Sequence, residues 1–306
     1  MRIVRGLRNL NERLPSPTVA LGNFDGVHVG HQAIFARTVD QARREGGTAM
    51  VYTFDPHPLK ILAPDQEISL LTGFKKKMEL VAGSGIEVAL LADFNRNFAR
   101  MHPKEFATRL KEGIGMTRVV VGHDYSFGQG KSGTIESLSR LGEELGFTVE
   151  VVEAVEREGG RVSSTRIRGL LFDGEVATAA RLLGRPYSLE GKVVEGYKRG
   201  RTLGFPTANL ETPFEVVPAT GVYAVRVSVE GGAPAPGVAN VGFNPTFGRD
   251  DFIIETYLID YNGDLYGKEL EIFFVARLRG ETRFASVEEL KAQIGADIDA
   301  ARRALV

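Results

Sequence analysis

The chain changes its hydrophobic pattern once, near Gly184, and that change limits the fold more than any other feature of the sequence. Before it, the short Val-rich runs TVALGNF, TAMVYTF, EVALLADF, TRVVVGH and TVEVVEAV alternate with amphipathic stretches. Continuous apolar runs read as strands covered on both faces. Helices between such strands imply right-handed crossovers and a parallel sheet. AIFARTVDQARREGG repeats apolar residues at helical spacing and stops at Gly46 and Gly47, while HPKEFATRLKEG starts at Pro103 and stops at Gly113. Residues 1–184 are therefore expected to form an α/β, Rossmann-like domain with a doubly wound parallel sheet.

After LLGRPYSLEG the runs GKVVEG, GVYAVRVSVEG, APGVANVG, FIIETYLID and KELEIFFVARLRG are β-rich and broken by Gly, Pro and Asn, with no helical pattern between them. This predicts a small antiparallel β-barrel over residues 188–306, with the linker near 184–188. SVEELKAQIGADIDAARRAL closes the chain as a helix, with Ser286 and Glu289 spaced as a capping box. Two cores suit 306 residues.

Charge narrows the partners. Lys plus Arg (38) balances Asp plus Glu (39), so no global field favours nucleic acid or an anionic membrane. With no cysteine, disulfides, thiolate nucleophiles and zinc–thiolate sites are excluded. MRIVRGLRNL lacks a signal-peptide core and no apolar run is long enough to span a bilayer, so a soluble, cytoplasmic protein is expected, with self-association left open.

GNFDGVHVGH, residues 22–31, lies between the first predicted strand and the first long helix and holds two of the five histidines. Ligands of open α/β sheets bind beyond the carboxyl ends of strands, at such turns. Gly22, Gly26 and Gly30 permit close backbone approach, and the helix start near His31 offers free N–H groups to an anion. His28 and His31 add two donors, an arrangement suited to stabilising charge in phosphoryl chemistry. The loop matches neither a P-loop nor the G-x-G-x-x-G fingerprint. A His-pair metal site and a purely structural glycine turn are the competing readings.

Other candidates are spread along the chain. Ser163, Ser164 and Thr165 in VSSTRIR stand where they would cap a helix, with the fixed cation Arg168 following. In FIIETYLID, alternation places Glu255 on one face with Ile253, Tyr257 and Ile259, and apolar neighbours would raise its pKa towards that of a general base; an exposed edge glutamate is the alternative. GYKRGRTLGFPTANL combines Gly196, Gly200 and Gly204 with Lys198, Arg199 and Arg201, and Thr207 and Asn209 carry oxygens suited to a hard cation.

GNFDGVHVGH resembles the signature of nucleotidyltransferases that release pyrophosphate. TFDPHP (53–58), VGHDYSFG (121–128), VSSTRIR (162–168) and the PTAN-centred segment (196–210) follow in the order found in the bifunctional riboflavin kinase/FMN adenylyltransferase family, over nearly the whole chain. The resemblance implies an enzyme that phosphorylates riboflavin to FMN and adenylylates FMN to FAD, using ATP and Mg²⁺. It implies nucleotide or phosphate binding at Gly22, Asn23, Phe24, Gly30, Ser163, Ser164 and Thr165, with His28, His31 and Arg168 catalytic. FMN binding is implied at His57, Pro58 and Asp124. In the kinase, Glu255 is the implied base, Gly200, Gly204, Thr207 and Asn209 hold phosphates, Thr207 and Asn209 also hold Mg²⁺, and Arg283 and Phe284 meet the flavin. Rival readings are another acceptor for the nucleotidyl group, a regulatory binding protein and a nucleic-acid-binding barrel.

Overall fold

The structure is a computed structural model that describes residues 1–65, 69–195, 203–213, 216–243 and 252–306. The chain divides into two compact units, Met1–Ser164 and Thr165–Val306. The first contains β1 (Arg2–Arg5), β2 (Thr18–Leu21), α1 (Val29–Arg44), β3 (Ala49–Phe54), α2 (Pro58–Leu62), α3 (Phe74–Gly83), β4 (Val88–Ala92), α4 (Arg96–Ala99), α5 (Pro103–Ile114), β5 (Arg118–Gly122), α6 (Ile135–Leu145), β6 (Thr148–Val152) and a small hairpin of β7 (Glu156–Arg157) and β8 (Gly160–Arg161).

Its six-stranded sheet runs β1-β4-β3-β2-β5-β6, with every pairing parallel. Strand alternation divides the core between the two faces. Val19, Leu21, Met50, Tyr52, Val119 and Val121 pack with Phe106 and Leu110 of α5. Ala20, Val51 and Val120 face the other way, onto Phe35 of α1 and Met78 and Val81 of α3. The inner strands β2 to β5 are buried on both faces as their sequences imply. β6 departs from the expectation for TVEVVEAV: it is an edge strand with Val151 exposed. The other edge, β1, buries Val4 alone, too weak a pattern to be read as a strand. Helix α5 continues through the expected stop at Gly113, because Ile114 still packs in the core and Gly115, at φ 74°, takes the left-handed cap.

The second unit opens with α7 (Ser164–Phe172), whose first residue lies at the junction, and α8 (Val176–Leu183). Then come β9 (Tyr187–Val194), β10 (Ala208–Glu211), β11 (Gly221–Val229), β12 (Ala235–Phe243), β13 (Phe252–Leu258), β14 (Glu269–Arg279) and α9 (Val287–Ala304). The six strands close as β10-β13-β12-β11-β14-β9, entirely antiparallel. Alternate side chains fill the interior, among them Tyr187, Leu189, Tyr223, Val225, Val241, Ile254, Leu270, Ile272 and Phe274, so the barrel is a packed core and not a channel. Ser286 caps α9 through Glu289 N, but the Glu289 carboxylate accepts from Ala285 N, one residue before the capping-box position.

Candidate active sites

The parallel sheet creates the first site through its strand order. β2 pairs with β3 on one side and β5 on the other, and the chain crosses back over β2 between β4 and β5. That is a topological switch point, where a crevice opens beyond the carboxyl ends of the strands. The loop leaving β2 there is residues 22–28. It bends through three left-handed residues, Phe24 (φ 53°), Gly26 (φ 82°) and Val27 (φ 42°), and such backbone in a β-branched residue is strained.

The surrounding protein holds that conformation. Phe24 is 2% exposed and its ring meets His31 edge-on at 5.3 Å and Phe35 at 4.7 Å. A Cβ on Gly22 would stand 2.9 Å from the Phe24 ring, and one on Gly26 would stand 2.7 Å from Leu71. These glycines therefore make room for protein side chains, where the sequence suggested room for a ligand. Buried Asp25 accepts from Leu71 N (3.0 Å) and Thr72 N (3.3 Å), while Gly26 N donates to Thr72 Oγ1 (3.2 Å). Ser164 Oγ donates to Asp25 O (2.9 Å), which joins the two sequence motifs.

His28 caps α1, its Nδ1 accepting from His31 N at 3.3 Å. The two imidazoles stack with centroids 3.6 Å apart and planes 17° from parallel. Gly30 allows this, since a Cβ there would lie 3.2 Å from the His28 ring. Burial holds the His31 pKa well below its ordinary 6.5, and the neighbouring His28 and Lys77 push it the same way. Among the described residues His31 Nδ1 has no hydrogen-bond partner. The resting pair thus presents a neutral imidazole beside a helix N-terminus, ready to donate to developing negative charge.

The remaining predicted residues lie on other segments. Asn23 is exposed. His57 caps α2 by accepting from Leu59 N (3.3 Å), and both it and Pro58 are buried. Asp124 lies beyond β5 and is paired with Arg161 (2.8 Å), which also contacts His123 Nε2 (3.0 Å). Ser163 precedes α7, and on that helix Thr165 is exposed and Arg168 half-buried. Lys77 was not singled out by the sequence reading, yet it is 8% exposed and its Nζ reaches Asn23 O (3.5 Å) and Phe54 O (3.4 Å). The signal was present in FKKKMEL: helical spacing aligns Lys77 with Phe74 and Val81, whereas Lys75 faces out.

In the barrel, register assembles the second site. Glu255 of β13 is paired directly with Asn209 of β10 on one side and Asn240 of β12 on the other. Directly paired residues share a face, so the three form a polar row across the outer surface. Ile254, Thr256 and Leu258 take the interior positions. Glu255 is half-buried, with Ile253 and Tyr257 along its own strand but polar asparagines across it, so the apolar surroundings expected from alternation hold in one direction only. Asn240 falls in the segment ANVGFNPTFG, residues 239–248, which resembles a family region closing over nucleotide and flavin, but sequence alone assigned it no role of its own; strand pairing places it beside Glu255. Thr207 is half-buried one residue before β10, and Gly204 is exposed at φ 91°. Gly200, with Gly196, Lys198, Arg199 and Arg201, lies outside the described residues.

Arg283 is exposed and Phe284 half-buried, so neither is a core residue. The Arg279 guanidinium lies 5.6 Å from the Phe284 ring centre. It also grips the buried Asp297 carboxylate through Nε (3.0 and 3.1 Å) and Nη2 (2.8 Å), and Gln293 adds a bond of 2.8 Å to the same carboxylate.

Comparison with known proteins decides the family. Residues 11–166 match the model of FAD synthetase and residues 183–305 that of riboflavin kinase. The chain is 41% identical over 304 residues to the bifunctional riboflavin kinase/FMN adenylyltransferase of Pseudomonas fluorescens, covering 99% of this chain and 97% of that protein. The chain belongs to the bifunctional riboflavin kinase/FMN adenylyltransferase family. Members from Escherichia coli K12 (38% identity; 97% and 96% covered) and Bacillus subtilis 168 (38%; 94% and 92%) span it equally fully. Its fold is shared, with a TM-score of 0.91, 33% identity and 99% of both chains covered, by a crystal structure described as a macrolide-efflux protein from Streptococcus pneumoniae. As a family member the protein carries both activities, riboflavin to FMN and FMN to FAD, with riboflavin, FMN and ATP as substrates. Among the described residues no helix is long and apolar enough to cross a membrane.

Proposed function

We propose that residues 1–184 carry the adenylyltransferase and 188–306 the kinase, each with its own site. The observation that supports the first is the stacked His28–His31 pair, His28 buried and His31 half-buried, at the N-terminus of α1 on the sheet's switch point. There an FMN phosphate oxygen attacks the α-phosphorus of ATP, and the bond to the β-phosphate oxygen breaks to release pyrophosphate. A phosphomonoester has a second pKa of about 6, so the nucleophile is already ionised and no base is needed. Alignment and charge stabilisation do the work. His28, His31 and the α1 amides donate to the transferring phosphate, with Gly22, Asn23, Phe24 and Gly30 shaping the loop through their backbone. Ser163, Ser164, Thr165 and Arg168 bind the triphosphate and the leaving pyrophosphate. His57, Pro58 and Asp124 hold FMN.

In the kinase the nucleophile is a neutral ribityl hydroxyl, which calls for a base. Glu255 takes its proton as the oxygen attacks the γ-phosphorus of ATP, and ADP leaves. Thr207, Asn209, Gly200 and Gly204 bind the phosphates, and Arg283 and Phe284 meet the flavin. The Thr207 hydroxyl and the Asn209 carbonyl are hard oxygen donors that fit Mg²⁺, while no cluster of three or more acidic, His or Cys ligands exists among the described residues. Such a set suits an ion held partly by nucleotide phosphates. When bound, Mg²⁺ offsets phosphate charge. We place the protein in the cytoplasm.

The direct test incubates the protein with riboflavin, ATP and Mg²⁺ and follows the flavins by chromatography. FMN should appear first and then yield FAD, and chelating Mg²⁺ should stop the conversion. FMN that accumulates without FAD would remove the assignment of the histidine loop.

A further inference from the structure

Resting on the reading of the histidine loop as the adenylyl-transfer site, we infer that Lys77 is a positioning residue of that site: its buried ammonium ties the loop after β2 to the loop after β3 and fixes the histidine pair against the FMN-binding turn.

Three observations carry this. First, Lys77 is 8% exposed on α3, between Phe74 and Val81 on the helix face turned to the core. Burying an ammonium carries a large desolvation penalty even after relaxation, so a lysine here is not an incidental surface charge. Second, its hydrogen-bond partners among the described residues are two backbone carbonyls, Asn23 O at 3.5 Å and Phe54 O at 3.4 Å. These contacts are long for hydrogen bonds and offset only part of that cost. Third, the two carbonyls belong to the two segments that matter for transfer. Asn23 opens the strained loop leading to His28 and His31, and Phe54 ends β3 immediately before the Asp55–Pro58 turn with His57. Thr53 Oγ1, on β3 itself, also donates to Asn23 O at 3.1 Å.

The charge has an electrical consequence as well. Lys77 lowers the His31 pKa, after burial and His28. Burial lowers the pKa of Lys77 itself, while Asp25 and Asp55 act in the opposite sense and favour the ammonium.

The test uses the full-length protein, whose kinase activity is an internal control for folding. Lys77→Met keeps chain length and removes charge; Lys77→Arg keeps charge. For Lys77→Met we expect kcat for FAD formation to fall about 10²-fold, as for other small misplacements of reacting groups. KM for FMN and ATP should change little, and FMN formation should stay within twofold. The acid limb of the FAD-forming pH profile should move to higher pH, because the cation that disfavours imidazolium is gone. Lys77→Arg should recover part of the rate and return the acid limb towards wild type.

FAD formation within threefold of wild type in Lys77→Met, with His31→Ala inactive alongside, would overturn this inference alone. If both variants formed FAD normally, the site reading itself would fall, and the inference with it. Should Lys77→Met fail to fold, Lys77→Gln is judged by the same limits; loss of both activities in both variants would make Lys77 a folding residue and overturn the inference.

Discussion

The two units present their polar chemistry in opposite ways. In the parallel sheet the key groups are withdrawn from water: His28 and Asp25, on a loop bent through left-handed backbone, and Lys77 beside it are each less than a tenth exposed. In the barrel, Asn209, Glu255 and Asn240 stand half-buried on the outer surface of a filled core, aligned by strand register alone. Burial lowers the pKa of Lys77 and dominates the lowered pKa of the adjacent His31, since desolvation disfavours charge. Register sets the spacing of the barrel residues. Under the proposed assignments the difference matches the demands of the two reactions: an ionised phosphate needs donors already fixed in place, whereas a neutral hydroxyl needs a carboxylate to take its proton.

The strongest way to break this contrast is to exchange single side chains across it. His31→Ala should reduce FAD formation from FMN about 10³-fold, comparable with loss of a transition-state donor, and leave FMN formation unchanged. Glu255→Ala should do the reverse and still adenylylate externally supplied FMN. Steady-state rates of both reactions in both variants check this, and equal loss of both activities in folded protein would contradict separate sites.

Phe24 tests whether packing holds the first loop. Phe24→Ala removes a fully buried ring against His31 and Phe35 and should cost about 3–5 kcal/mol in urea unfolding of the first unit. The barrel's kinase activity should survive below the new transition.

A smaller effect is expected from pH. His31 binds a proton less readily folded than unfolded, so stability is fully present above about pH 6.5, the ordinary histidine pKa. It should fall as the solution is acidified from there towards the depressed folded value, because the unfolded chain takes up the proton first. Thermal unfolding of His31→Gln measured from pH 7 to 5 should show a shallower decline than wild type; identical slopes would remove the burial account of this histidine.

The smallest change concerns the barrel rim. Arg279→Lys keeps charge but loses the forked grip on Asp297 and the planar contact with Phe284. It should raise KM for riboflavin about threefold to tenfold, roughly 1 kcal/mol, with kcat nearly unchanged. An unaltered KM would show that Phe284 needs no such support.

Much of the fold was legible in the sequence because its hydrophobic periods differ so clearly. β2 to β5 are continuous apolar runs, and β13 alternates Ile254, Thr256 and Leu258 inward. Edges were harder: β1 buries one residue and β6 is partly exposed, so neither carries the pattern of a covered strand. The glycines of the first loop were read by type, but a neighbour's side chain, Phe24 or Leu71, determines why each is needed. Lys77 was missed, and Asn240 was given no role of its own, for related reasons. One is the inward member of three consecutive lysines, and the other matters only through its pairing with Glu255.

By itself the sequence determined two domains, their α/β and β character, and, through ordered motifs, the family to which the chain belongs. Those properties rest on local periodicity and on residue types at short spacing, which a chain displays before it folds. Only the tertiary structure decided that β2 lies at the switch point, that His28 stacks on His31 above Phe24, that Lys77 joins two loops, and that Glu255 falls between two asparagines. Each depends on which distant strand or helix becomes a neighbour, and strand order and register are set by closure of the whole core rather than by any one segment.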